Sequence, residues 1–121
     1  MSRKVLVVDD EQDIVNFMER FLIRLGISVI KAIDGDNAID CCRNESPDCV
    51  FLDLQMPGKD GIETLKDIKK MKPDLTVIMI TGKESEEFKA KALQLGASDY
   101  ITKPLDLSEL NDKIQTYVLN R

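Results

Sequence analysis

The sequence predicts an α/β protein: a (βα)5 domain whose five parallel strands form one doubly wound sheet with helices on both faces. Three observations carry this. Short apolar runs alternate with longer segments of helical period, and the alternation repeats five times. The first, third and fourth runs are continuously apolar, the pattern of parallel strands covered on both sides. The chain has 121 residues, 43% of them hydrophobic and 32% charged, which suits one domain spanning residues 1–121 and excludes separate substrate and cofactor halves.

The first run, Val5-Leu6-Val7-Val8, stops at two aspartates. Ile14, Met18, Phe21, Leu22 and Leu25 then form a helical stripe that Gly26 ends. Ile27-Ser28-Val29-Ile30 is the second run, followed by a helix marked by Ala38, Ile39 and Cys42 and ended near Ser46-Pro47. Cys49-Val50-Phe51-Leu52 leads to a third helix, marked by Ile62, Leu65 and Ile68 and ended before Pro73. Val77-Ile78-Met79-Ile80 leads to a fourth, with Phe88, Ala92 and Leu95 as its stripe and Gly96 as its stop. The weaker run Tyr100-Ile101 precedes the last helix, marked by Leu110, Ile114, Tyr117 and Val118. Asp106 opens that helix with Glu109 three residues on, a capping-box spacing. A strand, a helix and a second parallel strand imply a right-handed crossover, so helices should lie on both faces. The fourth helix is thin in apolar residues and rich in charge (Lys83, Glu84, Glu86, Glu87, Lys89, Lys91), which suits either a solvated face or one turned to a partner.

Composition excludes several function classes. Twenty-two acidic against 17 basic residues give a net charge of -5, the opposite of the basic footprint of nucleic-acid binding. No apolar run approaches the roughly 20 residues of a membrane span, and the first run is too short for a signal-peptide core. Cys41, Cys42 and Cys49 fit neither a disulfide scaffold nor a zinc site, so a reduced, cytoplasmic protein is expected. The chain has no histidine, which excludes Ser-His-Asp and Cys-His catalysis and a phosphohistidine of its own.

In open α/β sheets ligands bind beyond the carboxyl ends of the strands. There the informative residues fall: Asp9 and Asp10 after the first run, Asp53 after the third, Thr81 after the fourth and Lys103 after the fifth. The second strand ends in Ile30-Lys31-Ala32 and donates nothing comparable, as suits an edge. Gathered carboxylates repel unless one is protonated or a divalent cation binds, and Mg2+ takes carboxylates, waters and phosphate oxygens. An ammonium and a hydroxyl beside them complete the parts for phosphoryl transfer, with an aspartate available as nucleophile. Singly, each residue has a duller use: Asp9, Asp10 or Thr81 as a helix cap, Asp53 opening the Pro57-Gly58 turn, Lys103 in solvent. Four of five strand ends with complementary chemistry are not explained by capping.

These segments, Val7-Val8-Asp9-Asp10-Glu11, Asp53 through Gly61, Ile80-Thr81-Gly82, Gly96-Ala97-Ser98-Asp99-Tyr100 and Lys103-Pro104, together resemble the receiver domain of bacterial two-component response regulators. The resemblance runs over essentially the whole chain and is of a chemotaxis-regulator-like kind, with a single receiver domain. It implies a flavodoxin-like sheet of strand order 2-1-3-4-5, an order known for that family. It implies Asp53 as phosphoacceptor, and Mg2+ held by Asp10, Asp53 and the Gln55 backbone carbonyl, with Asp9 acting through water. Lys103 would pair with a phosphate oxygen, its bond to Pro104 being cis. Thr81 would turn to the phosphoryl group and Tyr100 would follow it inward. Gln55, Gly82 and Lys83 stand where the family varies and would tune phosphate lifetime.

The implied function is a switch that takes a phosphoryl group from a histidine kinase or histidine phosphotransfer protein and slowly autodephosphorylates. It would signal to a protein target through its fourth helix, fifth strand and fifth helix, as a monomer or a phosphorylation-dependent dimer. No direct nucleic-acid contact and no membrane insertion are expected, and no enzymatic turnover. Phosphohydrolases of the haloacid dehalogenase type carry an acid two residues after the nucleophile, where this chain has Gln55. Phosphate-independent receiver-like modules tend to lack part of the acidic cluster or the lysine, and this chain has both. The last helix should finish near Asn120-Arg121, so the receiver either stands alone or precedes a DNA-binding or enzymatic domain after Arg121.

Overall fold

The computed structural model describes residues 3–55, 60–82 and 86–119. The expectations placed on Met56 to Lys59, on Lys83 and Glu84, and on Asn120-Arg121 lie outside the described residues. Five strands, β1 (Lys4–Val8), β2 (Ser28–Ala32), β3 (Cys49–Asp53), β4 (Thr76–Thr81) and β5 (Asp99–Thr102), alternate with five helices. The helices are α1 (Gln12–Arg24), α2 (Gly35–Glu45), α3 (Gly61–Met71), α4 (Glu86–Gln94) and α5 (Leu107–Ile114), the last continued by a π-helical turn, Gln115–Leu119. All strand pairs are parallel and the order is β2-β1-β3-β4-β5, as expected.

Residue alternation sorts the strands' side chains onto two faces. Val5, Val7, Phe51, Ile78, Ile80 and Ile101 pack under α1 (Val15, Met18, Leu22), α5 (Leu110, Ile114) and the π-helical turn (Val118). Leu6, Val8, Val50, Leu52, Val77 and Met79 pack under α2 (Ala38, Cys42), α3 (Leu65, Ile68) and α4 (Ala92). The central strands β3 and β4 are buried at every residue, whereas β2 and β5 are partly open, as edges are. The side chain of Asp106 accepts from the Ser108 and Glu109 N–H groups and so caps α5. Gly26 ends α1 at φ +80°, which lets Ile27 N–H reach back to the Leu22 carbonyl at 3.1 Å.

Two sequence expectations need correction. Phe88 lies on the predicted stripe of α4 yet is 49% exposed; only Ala92 of that helix is fully buried. A nine-residue helix over the open β5 edge covers little, so one small residue makes the seal. In α1 the buried positions are Val15, Met18 and Leu22, while Ile14 and Phe21 are only partly covered. The three cysteines are free, and burial pushes the Cys42 thiol up to about 11, which disfavours its thiolate. No helix among the described residues is long and apolar enough to cross a membrane.

Candidate functional site

Because every strand is parallel, all five carboxyl ends open on one edge of the sheet, and the polar residues singled out above meet there. Asp9 extends β1, its N–H donating to the Ala32 carbonyl at 3.2 Å. Asp53 is the last residue of β3 and Thr81 the last of β4. Lys103 follows β5, held by its N–H to the Thr81 carbonyl at 2.6 Å. The Lys103–Pro104 bond is cis, as expected.

Gly61 sets how closely α3 approaches this edge. A Cβ there would come within 2.5 Å of the Asp53 carbonyl oxygen and 2.6 Å of Leu54 Cα. Only a bare backbone fits, and its N–H donates to the Leu54 carbonyl at 3.0 Å.

Carboxylate oxygens of Asp9, Asp10 and Asp53 lie within 4.8 Å of one another, with Asp9 and Asp53 buried and Asp10 exposed. Asp53 Oδ1 accepts from the Gln55 N–H at 3.1 Å, and Asp9 Oδ1 from the Glu11 N–H at 2.9 Å. Lys103 Nζ sits 3.5 Å from Asp53 Oδ2 and 3.4 Å from Asp9 Oδ2, and it donates a hydrogen bond to Glu11 Oε1. Burial, then the Asp9 carboxylate, push the Asp53 acid up to about 7 against the pull of the Gln55 N–H and Lys103. Burial works to lower the pKa of Lys103, but the Glu11 hydrogen bond and the Asp53 and Asp9 charges outweigh it and hold the ammonium above the usual lysine range. Thr81 Oγ1 donates to the Gly82 carbonyl at 3.3 Å. Tyr100 is half-buried, with Lys89 Nζ 4.8 Å from its ring centroid.

The cluster fits a hard divalent cation. Its donors are all oxygen, carboxylates outnumber the one ammonium, and Asp9 Oδ2 is buried without a hydrogen bond. The duller uses lose ground: α1 has Glu11, not Asp9 or Asp10, at its N-cap, and Lys103 is paired rather than solvated. Two contacts were not anticipated from the chain. Glu11 on Lys103 joins residues 92 positions apart, and Lys89 on Tyr100 bridges α4 to β5; neither has a periodic signal.

The geometry has close counterparts. A family model for the response regulator receiver domain matches residues 5–115. NtrX from Brucella abortus superposes with a TM-score of 0.91 at 34% identity, over 99% of this chain and 27% of that one. The present chain therefore spans about a quarter of that larger protein. A Francisella response regulator 1452 receiver domain matches at 32% identity and TM-score 0.89, covering 99% of this chain and 100% of its own. Chemotaxis protein CheY4 of Vibrio cholerae matches at 27% and 0.91, over 98% and 100%.

Proposed function

The chain belongs to the response regulator receiver domain family, and from that premise we propose that it is a phosphoacceptor switch whose acceptor is Asp53. The observation that carries this is the Asp53 carboxylate at the end of β3, beside Asp9 and Asp10 and 3.5 Å from the Lys103 ammonium. Asp10, Asp53 and the Gln55 backbone carbonyl would hold Mg2+, with Asp9 acting through water. The bound ion would neutralise the charge that gathers on the transferring group.

A histidine kinase or histidine phosphotransfer protein supplies the phosphoryl group. An ionised Asp53 oxygen attacks phosphorus, the new P–O bond forms, and the P–N bond to the donor imidazole breaks with its electrons left on nitrogen. Without metal, burial and the Asp9 charge push the Asp53 acid up to about 7, and Mg2+ at the cluster would favour the ionised form that attacks. Lys103 pairs with one phosphoryl oxygen. The phosphoryl group adds about -1.5 to -2 of charge and strong acceptors. Thr81 Oγ1 then leaves the Gly82 carbonyl and donates to a phosphoryl oxygen, and Tyr100 follows inward. The surface made by α4, β5 and α5 changes, and a downstream protein reads it. Water later hydrolyses the acyl phosphate and resets a cytoplasmic switch that turns over no other substrate.

Intact mass after incubation with Mg2+ and acetyl phosphate tests this, with Asp53→Asn in parallel. One labile phosphoryl adduct on wild type alone is expected. No adduct on folded wild type, or an equal adduct on the variant, refutes the assignment.

A further inference from the structure

Glu11 occupies the N-cap of α1, where short side chains such as Asp, Asn, Ser or Thr are favoured because they reach the free N–H groups of the first turn. Its side chain makes no capping bond. It crosses instead to the loop after β5 and accepts a hydrogen bond from Lys103 Nζ. That is the only hydrogen bond the ammonium makes among the described residues; Asp9 and Asp53 are ion-pair neighbours at 3.4 and 3.5 Å. The Glu11 N–H donates to Asp9 Oδ1, which fixes the residue at the rim of the acidic cluster. A side chain that forgoes its local role and binds a site cation breaks a local rule where function explains it.

We infer that Glu11 is a positioning residue that holds the Lys103 ammonium in the resting protein, so that Lys103 must exchange Glu11 for the phosphoryl group as Asp53 is modified. The inference rests on the phosphoacceptor reading of Asp53. After transfer the added charge at Asp53 draws the ammonium across. Before transfer, the Glu11 hold competes with the incoming phosphoryl oxygens for the same donor. The Glu11 side chain is 59% exposed, so the hold has the strength of a surface pair, and its release is worth about a two- to fivefold change in rate.

The test measures initial rates of phosphoryl uptake from acetyl phosphate with Mg2+, by intact mass, for wild type, Glu11→Gln and Glu11→Asp. In each case the Asp53–phosphorus bond forms and acetate leaves. Glutamine removes the charge. Aspartate keeps it but is one methylene too short for Lys103, and it suits the cap, so the helix is not weakened. Both variants should take up phosphate about two- to fivefold faster than wild type. In a Lys103→Met background, uptake should be the same whichever residue stands at position 11. Equal or slower rates in the two variants overturn the inference. So does a gain confined to glutamine, which is plain charge repulsion of the anionic donor, or a gain that survives Lys103→Met. These outcomes leave the phosphoacceptor reading standing, whereas no adduct on wild type removes both.

Discussion

Replacing Asp53 by Asn should stabilise the protein without added metal, and by more as pH rises. Asp53 is 3% exposed and its carboxylate faces Asp9, and its pKa is pushed from 3.8 up to about 7. A group whose folded pKa is raised contributes its stability fully below the unfolded value and loses it as pH climbs through the folded value. Wild type should therefore lose stability between pH 4 and 7, and the asparagine variant should not lose this share. The gap of about 3 units, at about 1.4 kcal/mol each, sets a ceiling near 4 kcal/mol. The gap is already net of the Lys103 pair, and the strand ends open toward water, which weakens the burial and Asp9 contributions, so about 2 kcal/mol is expected. Asparagine keeps an acceptor for the Gln55 N–H and gains a donor toward Asp9 Oδ2, which has no hydrogen bond. The Asp99 acid sits below its usual range despite its burial, because Lys113, the Tyr100 N–H and Tyr117 outweigh it, so it titrates at the acid end. It does so in both proteins and cancels from the difference. Urea unfolding of both proteins in chelator at pH 4.5, 6 and 8 measures the effect. A difference that is flat with pH, or that falls, refutes the account of the charge cluster.

Gly61→Ala should cost about 2 kcal/mol or more, since the new methyl meets the Asp53 carbonyl and Leu54 backbone and neither can yield; thermal unfolding reads this, and an unchanged melting temperature counts against the close packing. Thr81→Ala should leave phosphoryl uptake near wild type but blunt the amide NMR shifts around Tyr100 on phosphorylation; wild-type-sized shifts would sink the Thr81–Tyr100 coupling.

Much of the architecture was legible along the chain because its cause is local. The runs Val5–Val8, Cys49–Leu52 and Val77–Ile80 are apolar at every position, and in the fold both their faces are covered. The second strand's end, Ile30-Lys31-Ala32, offered nothing to the site and so read as an edge, and the edge is what it is. The candidate site was legible for a topological reason: when all strands run one way, the residue after each apolar run must arrive at the same edge. Phe88 misled because helical spacing tells which residues share a face but not whether anything lies opposite that face.

The chain by itself determined the alternation of elements, the capping of α5 by Asp106, the stop at Gly26 and the gathering of Asp9, Asp10, Asp53, Thr81 and Lys103. Each follows from spacing, residue chemistry or strand direction. Tertiary structure alone decided the raised Asp53 acid, the Gly61 contact, the Lys89 ammonium over Tyr100 and the Glu11 bond to Lys103. Those depend on burial and on distances of a few ångströms between elements remote in sequence, and such distances exist only once the helices have packed against the sheet.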